Sequence, residues 1–297
     1  MKTRAKVASL AVVASLANCF GAYAHSMLPG MGFAPGEGIS YDEAPIFTAE
    51  ASVEFHSRYM SYGVVDGKDP IVKPCFCGTF ADWVFVGADF ICDTTKGNGK
   101  GFGYGNRAGR YSAIDSYAGL AHEFELGESI GTLSVEAGYL YEYATRSYED
   151  GSNWDMQYLY AEISLENPIL EPKLYLEREL MFDDGTYANF EIGHTFDFSR
   201  LCEGLSVRPS IAQGIGNTRR ALGYFGESHG GLMDTCVKLE LEYKLNEWCS
   251  FGAYAAYYDY LFDGNMRDLA REYNSVWGNG CDHSWSFVGG LSVKLTF

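Results

Sequence analysis

The sequence predicts an all-β fold, a closed antiparallel transmembrane β-barrel of about 12 strands, with short turns at one rim and longer loops at the other. Three observations predict it. The last residues, Trp285 to Phe297, alternate strictly: Trp285, Phe287, Gly289, Leu291, Val293, Leu295 and Phe297 fall on one face, and Ser286, Val288, Gly290, Ser292, Lys294 and Thr296 on the other. That is the period of a strand with one wet side. The 22 Tyr, 19 Phe and 35 Gly against 8 Pro favour many strands joined by Gly-rich loops. Finally, no apolar run beyond the amino-terminal leader reaches the ~18 residues of a membrane helix, a length that alternating barrel strands do not need.

Alternating segments recur at 47–63, 69–80, 82–92, 111–125, 132–144, 154–166, 172–182, 186–198, 204–214, 232–243, 249–262 and 283–297. The connections alternate in length. Ala81, 126–131, 167–171, 199–203 and 244–248 are short, and 93–110, 145–153, 215–231 and 263–282 are long. Asp66-Gly67 and Asp184-Gly185 are hairpin dipeptides at two shorter external connections. Parity supports the even count, because only an even number of strands returns the amino-terminus to the rim where Phe297 ends. Segment 69–80 reads as a strand once Val72, Pro74, Phe76, Gly78 and Phe80 are seen on one face, although Pro74 and Pro209 each lack a ladder donor.

Lys2, Arg4 and Lys6 precede the apolar run Val7 to Leu16, and Ala22-Tyr23-Ala24 is a small-x-small cleavage site. Residues 1–24 therefore read as a signal peptide, 25–46 as a flexible amino-terminal segment and 47–297 as the barrel, with the mature chain starting at His25. A lipobox at Leu16-Ala17-Asn18-Cys19 is weakened by Asn18. Export implies a bacterial outer membrane, with its lipid as partner. Losing the three leader cations from 22 Lys and Arg leaves 19 against 39 Asp and Glu, a net charge of −20. A chain this acidic lacks the basic face that nucleic acid requires.

Seven cysteines remain after the leader, an odd count without a Cys-x-x-Cys pair. Cys75 and Cys77 share a strand face but have no neighbouring His, so no metal site and no cofactor are expected. Cys202 and Cys249 each fall at a short turn, the two turns flanking one hairpin, and a disulfide between them is an expectation to be tested.

The alternation also assigns faces. Val53, Phe55 and Tyr59, the series Leu133 to Tyr143, Phe190 and Ile192, and Val237, Leu239 and Leu241 would meet lipid. The opposite face is polar and mostly acidic. From it Glu54, Arg58, Glu136, Glu142, Glu191, Arg208, Lys238 and Glu240 are the expected pore-lining residues, joined by Glu50, His56, Glu123, Glu162, Glu166, Glu242 and Lys294. An inward excess of carboxylates predicts a preference for cations among small solutes or ions. A soluble β-sandwich would bury the apolar set instead, and leader, turn asymmetry and terminal Phe297 argue for the membrane version.

The closing strand, with its carboxy-terminal Phe297, resembles that of outer-membrane barrels, which implies an assembly signal read by the barrel-assembly machinery. Ser57-Arg58-Tyr59-Met60-Ser61-Tyr62-Gly63, followed by Asp66-Gly67-Lys68-Asp69-Pro70-Ile71-Val72-Lys73-Pro74, resembles the first hairpin of small porins of the TorF-like type. Over some twenty residues the resemblance implies a diffusion or transport barrel and carries no catalytic residue. Tyr62 stands where an Arg is usual.

Several motifs invite enzymatic readings. Gly226-Glu227-Ser228-His229-Gly230 matches a nucleophile elbow, with Asp263, Asp282 and His283 following, but it leads into a strand rather than a helix. Gly103-Tyr104-Gly105-Asn106-Arg107-Ala108 matches a dinucleotide pattern without the strand-to-helix context that holds phosphate. His122 and His194 face outward near the short-turn rim, the wrong interface for hydrolysing surface lipid. Asp183, Asp184, Asp259, Asp263, Asp282 and His283 could gather at the external rim, where carboxylates are also what any acidic porin displays. No catalytic residue is assigned. Met266, Leu269, Ala270 and Tyr273, spaced i, i+3, i+4 and i+7 with Asn265 as a cap, predict a short amphipathic helix that either lies on the rim or narrows the lumen. The sequence reads as a porin-like channel. The alternatives are a structural or adhesive barrel without an open pore and, less favoured, an outer-membrane hydrolase. Oligomeric state is left open.

Overall fold

The structure is a computed structural model that describes residues 47–81, 83–95, 111–127, 129–144, 155–276 and 282–297. The leader, the segment 25–46 and the Gly-rich stretch 97–109 lie outside the described residues. The strands are β1 (Phe47–His56), β2 (Tyr59–Ser61), β3 (Val64–Gly67), β4 (Ile71–Phe80), β5 (Val84–Asp93), β6 (Tyr111–Glu125), β7 (Thr132–Ala144), β8 (Met156–Glu166), β9 (Glu171–Glu179), β10 (Thr186–Gly193), β11 (Phe196–Asp197), β12 (Leu205–Gly216), β13 (Gly231–Asn246), β14 (Cys249–Asp259) and β15 (Ser286–Thr296). Two helices, α1 (Thr218–Phe225) and α2 (Gly264–Val276), lie in external connections.

Consecutive strands pair antiparallel from β4 to β10 and from β12 to β15, β1 pairs β4, β10 pairs β12 with Ile192 opposite Ile211, and β1 pairs β15 with Val53 opposite Val293. The sheet is therefore closed. Short β11 continues the line of β10 past His194 and Thr195, so the wall has 12 positions, as the alternation predicts. Closure pairs the backbone all round, the condition for a sheet to sit in hydrocarbon. At the seam the backbone N–H of Phe297 donates to the Ala49 carbonyl, 3.3 Å.

Facing follows the period of two throughout. Val53, Phe76, Leu120, Leu159, Phe190 and Leu239 are among the large apolar side chains exposed on the outside, while Glu54, Lys73, Asp115, Glu162, Glu191 and Glu240 are buried within. An exterior of this composition is matched to lipid tails, not to water. Pro74 interrupts the ladder without ending the strand: β4 pairs β5 at Ile71 and Val72 and again from Cys75 onward.

The first hairpin departs from the alternation reading. The segment 47–63 is not one strand, because β1 stops at His56 and the chain turns into the barrel as the separate hairpin β2–β3. Its turn is Tyr62-Gly63, at φ 44° and 80°, rather than Asp66-Gly67. Two positive φ angles in succession match the twist of a tight hairpin, and Gly supplies the second without strain. A Cβ on Gly63 would also strike Asp234 of β13. Tyr59, expected to face lipid, is accordingly buried in the interior.

Three further expectations are corrected at the rims. Within 215–231 the chain forms α1, capped by the Asn217 side chain accepting from the Arg220 N–H at 2.9 Å and ended by Gly226 in the left-handed region. The expected amphipathic helix is α2, but its cap is Asp263, whose carboxylate accepts from the N–H groups of Asn265 and Met266. Cys202 and Cys249 are both free. Their turns are two strands apart, roughly 10 Å at ~4.8 Å per strand, beyond the ~7 Å Cα separation that a disulfide spans. Maleimide labelling followed by mass mapping should modify exposed Cys202 in the folded barrel and buried Cys249 only after unfolding; protection of both in a non-reduced sample would restore the pairing.

Candidate functional site

Polar side chains occupy the lumen because every second residue of each strand points there, so the site is built by the pleat itself. Of the eight residues expected to line it, seven are buried and Arg58 is half-buried. Four meet in one network. Arg208 of β12 donates through Nε to Glu171 at 2.8 Å and lies 2.6 Å from Glu191 and 3.1 Å from Glu240 through Nη1. Lys238 adds a contact of 3.0 Å to Glu240. The guanidinium reaches Glu171 past β10 because Gly193 has no side chain; a Cβ there would meet the Arg208 guanidinium at 2.6 Å.

The other four stand apart. Glu54 lies 3.0 Å from Nε2 of His56, whose Nδ1 contacts the Tyr254 hydroxyl at 2.6 Å. Glu136 accepts from the Tyr160 hydroxyl at 3.0 Å. Arg58 donates to the Ser286 hydroxyl at 2.7 Å. Glu142 has a buried Oε2 without a hydrogen-bond partner.

The same parity supplies wall residues that the face assignment did not name, Lys73, Asp89, Asp115 and Lys173; Lys73 pairs with Asp89 at 2.7 Å, and Lys173 with the expected inward Glu162 at 3.1 Å. The strand period does not announce the outer half of the site, of which only α2 was signalled, by its helical spacing. There the β2–β3 hairpin, α1 and α2 fill the mouth, with Val64, Ala221, Met233, Met266 and Ala270 fully buried together. α2 thus folds inward, and its Asn274 side chain accepts from the Val65 N–H at 2.9 Å while Tyr273 donates to Asp66 at 2.6 Å.

Arg220 fastens this plug to the wall. Its guanidinium lies 3.1 Å from Glu177 of β9 and 3.2 Å from Asp183, and stacks at 4.8 Å on Tyr62 of the hairpin. Tyr62 also donates to Glu177. In the β9–β10 connection burial raises the Asp183 carboxyl above its ordinary range, against the pull of Arg220. Glu179 orders that connection by accepting from the backbone N–H groups of Met181, Phe182, Asp183 and Asp184.

The elbow-like pentapeptide runs from the end of α1 into β13, a helix-to-strand order opposite to the one that exposes a nucleophile. Its His229 lies 3.1 Å from Asp263 instead; burial opposes ionisation of that carboxyl, but the bond from His229 and the helix N–H groups hold it below the usual range. His122 stacks on Trp83, ring centroids 3.8 Å apart. His194 packs edge-on to Phe196, centroids 4.7 Å apart.

No family model and no curated protein matches the chain. Solved structures of outer-membrane porins resemble it. A KdgM porin in complex with disordered oligogalacturonate is 9% identical, with 84% of this chain and 99% of that chain covered at a TM-score of 0.45. Pseudomonas aeruginosa OpdK with vanillate is 12% identical, covering 86% of this chain and 66% of that one at a TM-score of 0.37. Acinetobacter baumannii OccAB2 is 12% identical, covering 87% and 66% at 0.38. At these scores the likeness is one of barrel architecture, and the functional reading rests on this chain's own geometry.

Proposed function

We propose that the chain is a bacterial outer-membrane barrel of the porin kind that passes small solutes and prefers cations. The charge of its wall carries this reading. Among the described residues, 13 carboxylates are inward and buried on the wall strands, Glu50, Asp89, Glu136 and Glu191 among them, against five cations, Lys73, Lys173, Arg208, Lys238 and Lys294. A core kept only for support gains nothing from such an excess, since unpaired buried charge is costly. A wet lumen that concentrates cations accounts for it. The hairpin of the TorF-like resemblance, together with α1 and α2, makes the outer half the narrow part. Phe297, at the seam, is proposed as the signal that the assembly machinery reads.

A second reading has its own observation. The same wall side chains are buried and the mouth is filled, which suits a structural or adhesive barrel that presents its loops to partners. Planar-bilayer recording separates the two: steady current supports passage, and a folded but silent barrel supports the structural reading. Under a salt gradient the reversal potential should have the sign of cation preference. The variant Glu54→Gln, Glu136→Gln, Glu191→Gln, Glu240→Gln should move it towards anions, chiefly because Arg208 and Lys238 lose their counter-charges. An anion-selective wild type, or no shift in the variant, would overturn cation preference.

A further inference from the structure

We propose that Asp115 and Glu142 hold one partly hydrated divalent metal ion in the lumen beneath the β2–β3 hairpin. Asp115 of β6 and Glu142 of β7 are directly opposite one another on the inward face, 2% and 6% exposed. Like charges placed opposite on neighbouring strands repel. Asp89, on the next strand, sits opposite Asp115 in turn.

What sets this pair apart is the lack of a partner. Asp89 has Lys73, Glu162 has Lys173, and Glu191 and Glu240 share Arg208. Lys73 also acts on Asp115, but it is committed to Asp89 at 2.7 Å. Asp115 Oδ1 and Glu142 Oε2 are each buried with no hydrogen-bond partner. From the hairpin Asp66 adds a further negative charge that acts on Glu142.

Two carboxylates carry the charge a divalent ion neutralises, and their oxygens are hard donors. Among the described residues no three His, Cys, Asp or Glu side chains gather closely enough to cage a metal. The ion must therefore keep water, the habit of Mg²⁺ and Mn²⁺ held through one or two carboxylates. A monovalent ion would leave half the charge uncompensated. The site deepens the cation-preferring reading and depends on it only for a part in passage.

The test uses the full barrel folded in detergent, stripped with chelator and titrated with MnCl₂ at fixed ionic strength, bound ion being read by electron paramagnetic resonance. One equivalent should bind, be displaced by MgCl₂, and weaken at least tenfold in Asp115→Asn, Glu142→Gln. Either single variant reads the same loss if the double does not fold. Asp268→Asn, Glu272→Gln, at the exposed rim cleft, should leave binding unchanged. No bound ion in the wild type, equal binding in the lumen variant, or loss in the rim variant alone would overturn the site. Because binding is read without current, a silent barrel that holds one ion removes the transport reading and keeps the site; current without a bound ion does the reverse.

Discussion

Arg220→Ala should lower the stability of the folded barrel by about 3–5 kcal/mol, the usual cost of removing one partner from a buried ion pair. Its guanidinium is 1% exposed and meets Glu177, Asp183 and the faces of Tyr62, Tyr158 and Tyr224. Removing it strands Glu177 on the wall with only the hydroxyls of Tyr62 and Tyr175. It also loosens α1 from the hairpin, leaving Tyr224 with the Ser61 hydroxyl at 2.7 Å and the Tyr62 ring, so current through the outer half should rise as stability falls. Lys in its place should not rescue, because a point charge cannot pair with two carboxylates and stack on three rings together. Denaturant unfolding in micelles and single-channel recording check the two halves of this expectation; a variant with wild-type midpoint and current would mean that the plug is held elsewhere.

Arg208→Ala should be comparably severe in the inner half, about 3–5 kcal/mol on the same principle. One side chain answers Glu171, Glu191 and Glu240, which stand on three strands; without it Glu240 keeps Lys238, and Glu191 keeps Lys173 opposite it on β9, each a single point charge in place of the shared guanidinium. Stability should drop while cation selectivity rises, the opposite selectivity change to that of the four-Gln variant. Adding Glu191→Gln and Glu240→Gln to Arg208→Ala should recover part of the lost stability by removing the stranded charges. If the triple variant is less stable than Arg208→Ala alone, the carboxylates contribute through contacts other than this guanidinium.

The wall was legible because a period of two is a local property. Once Leu239 and Leu241 are placed outside, Lys238 and Glu240 must point in, whatever the rest of the chain does. The strand count and the inward position of Arg208 came from that logic. Tyr59 did not, because the alternation of 47–63 runs on through a bend at Ser57 and Arg58 that only tertiary packing imposes. α1 was missed although Asn217 and Gly226 are good end signals and Ala221, Tyr224 and Phe225 share one face, because its eight residues give little more than two turns of that spacing. The pairing of Arg208 with Glu171 was out of reach in another way: it crosses β10 through the gap at Gly193, and one strand's pattern carries no information about reach across another.

The inward hairpin hangs between β1 and β4, and β1 is also half of the seam. That gives closure an order in time. Val53 meets Val293 across almost the whole described chain, so this pairing is the most non-local in the sheet and the slowest to gain its loop-closure return. The hairpin has to be seated before that pairing is complete, since entering afterwards would mean parting wall strands or clearing α1 and α2 from the mouth. Stoppering the wall is thus expected to come before sealing it, and a chain that zips early would leave its own cork outside.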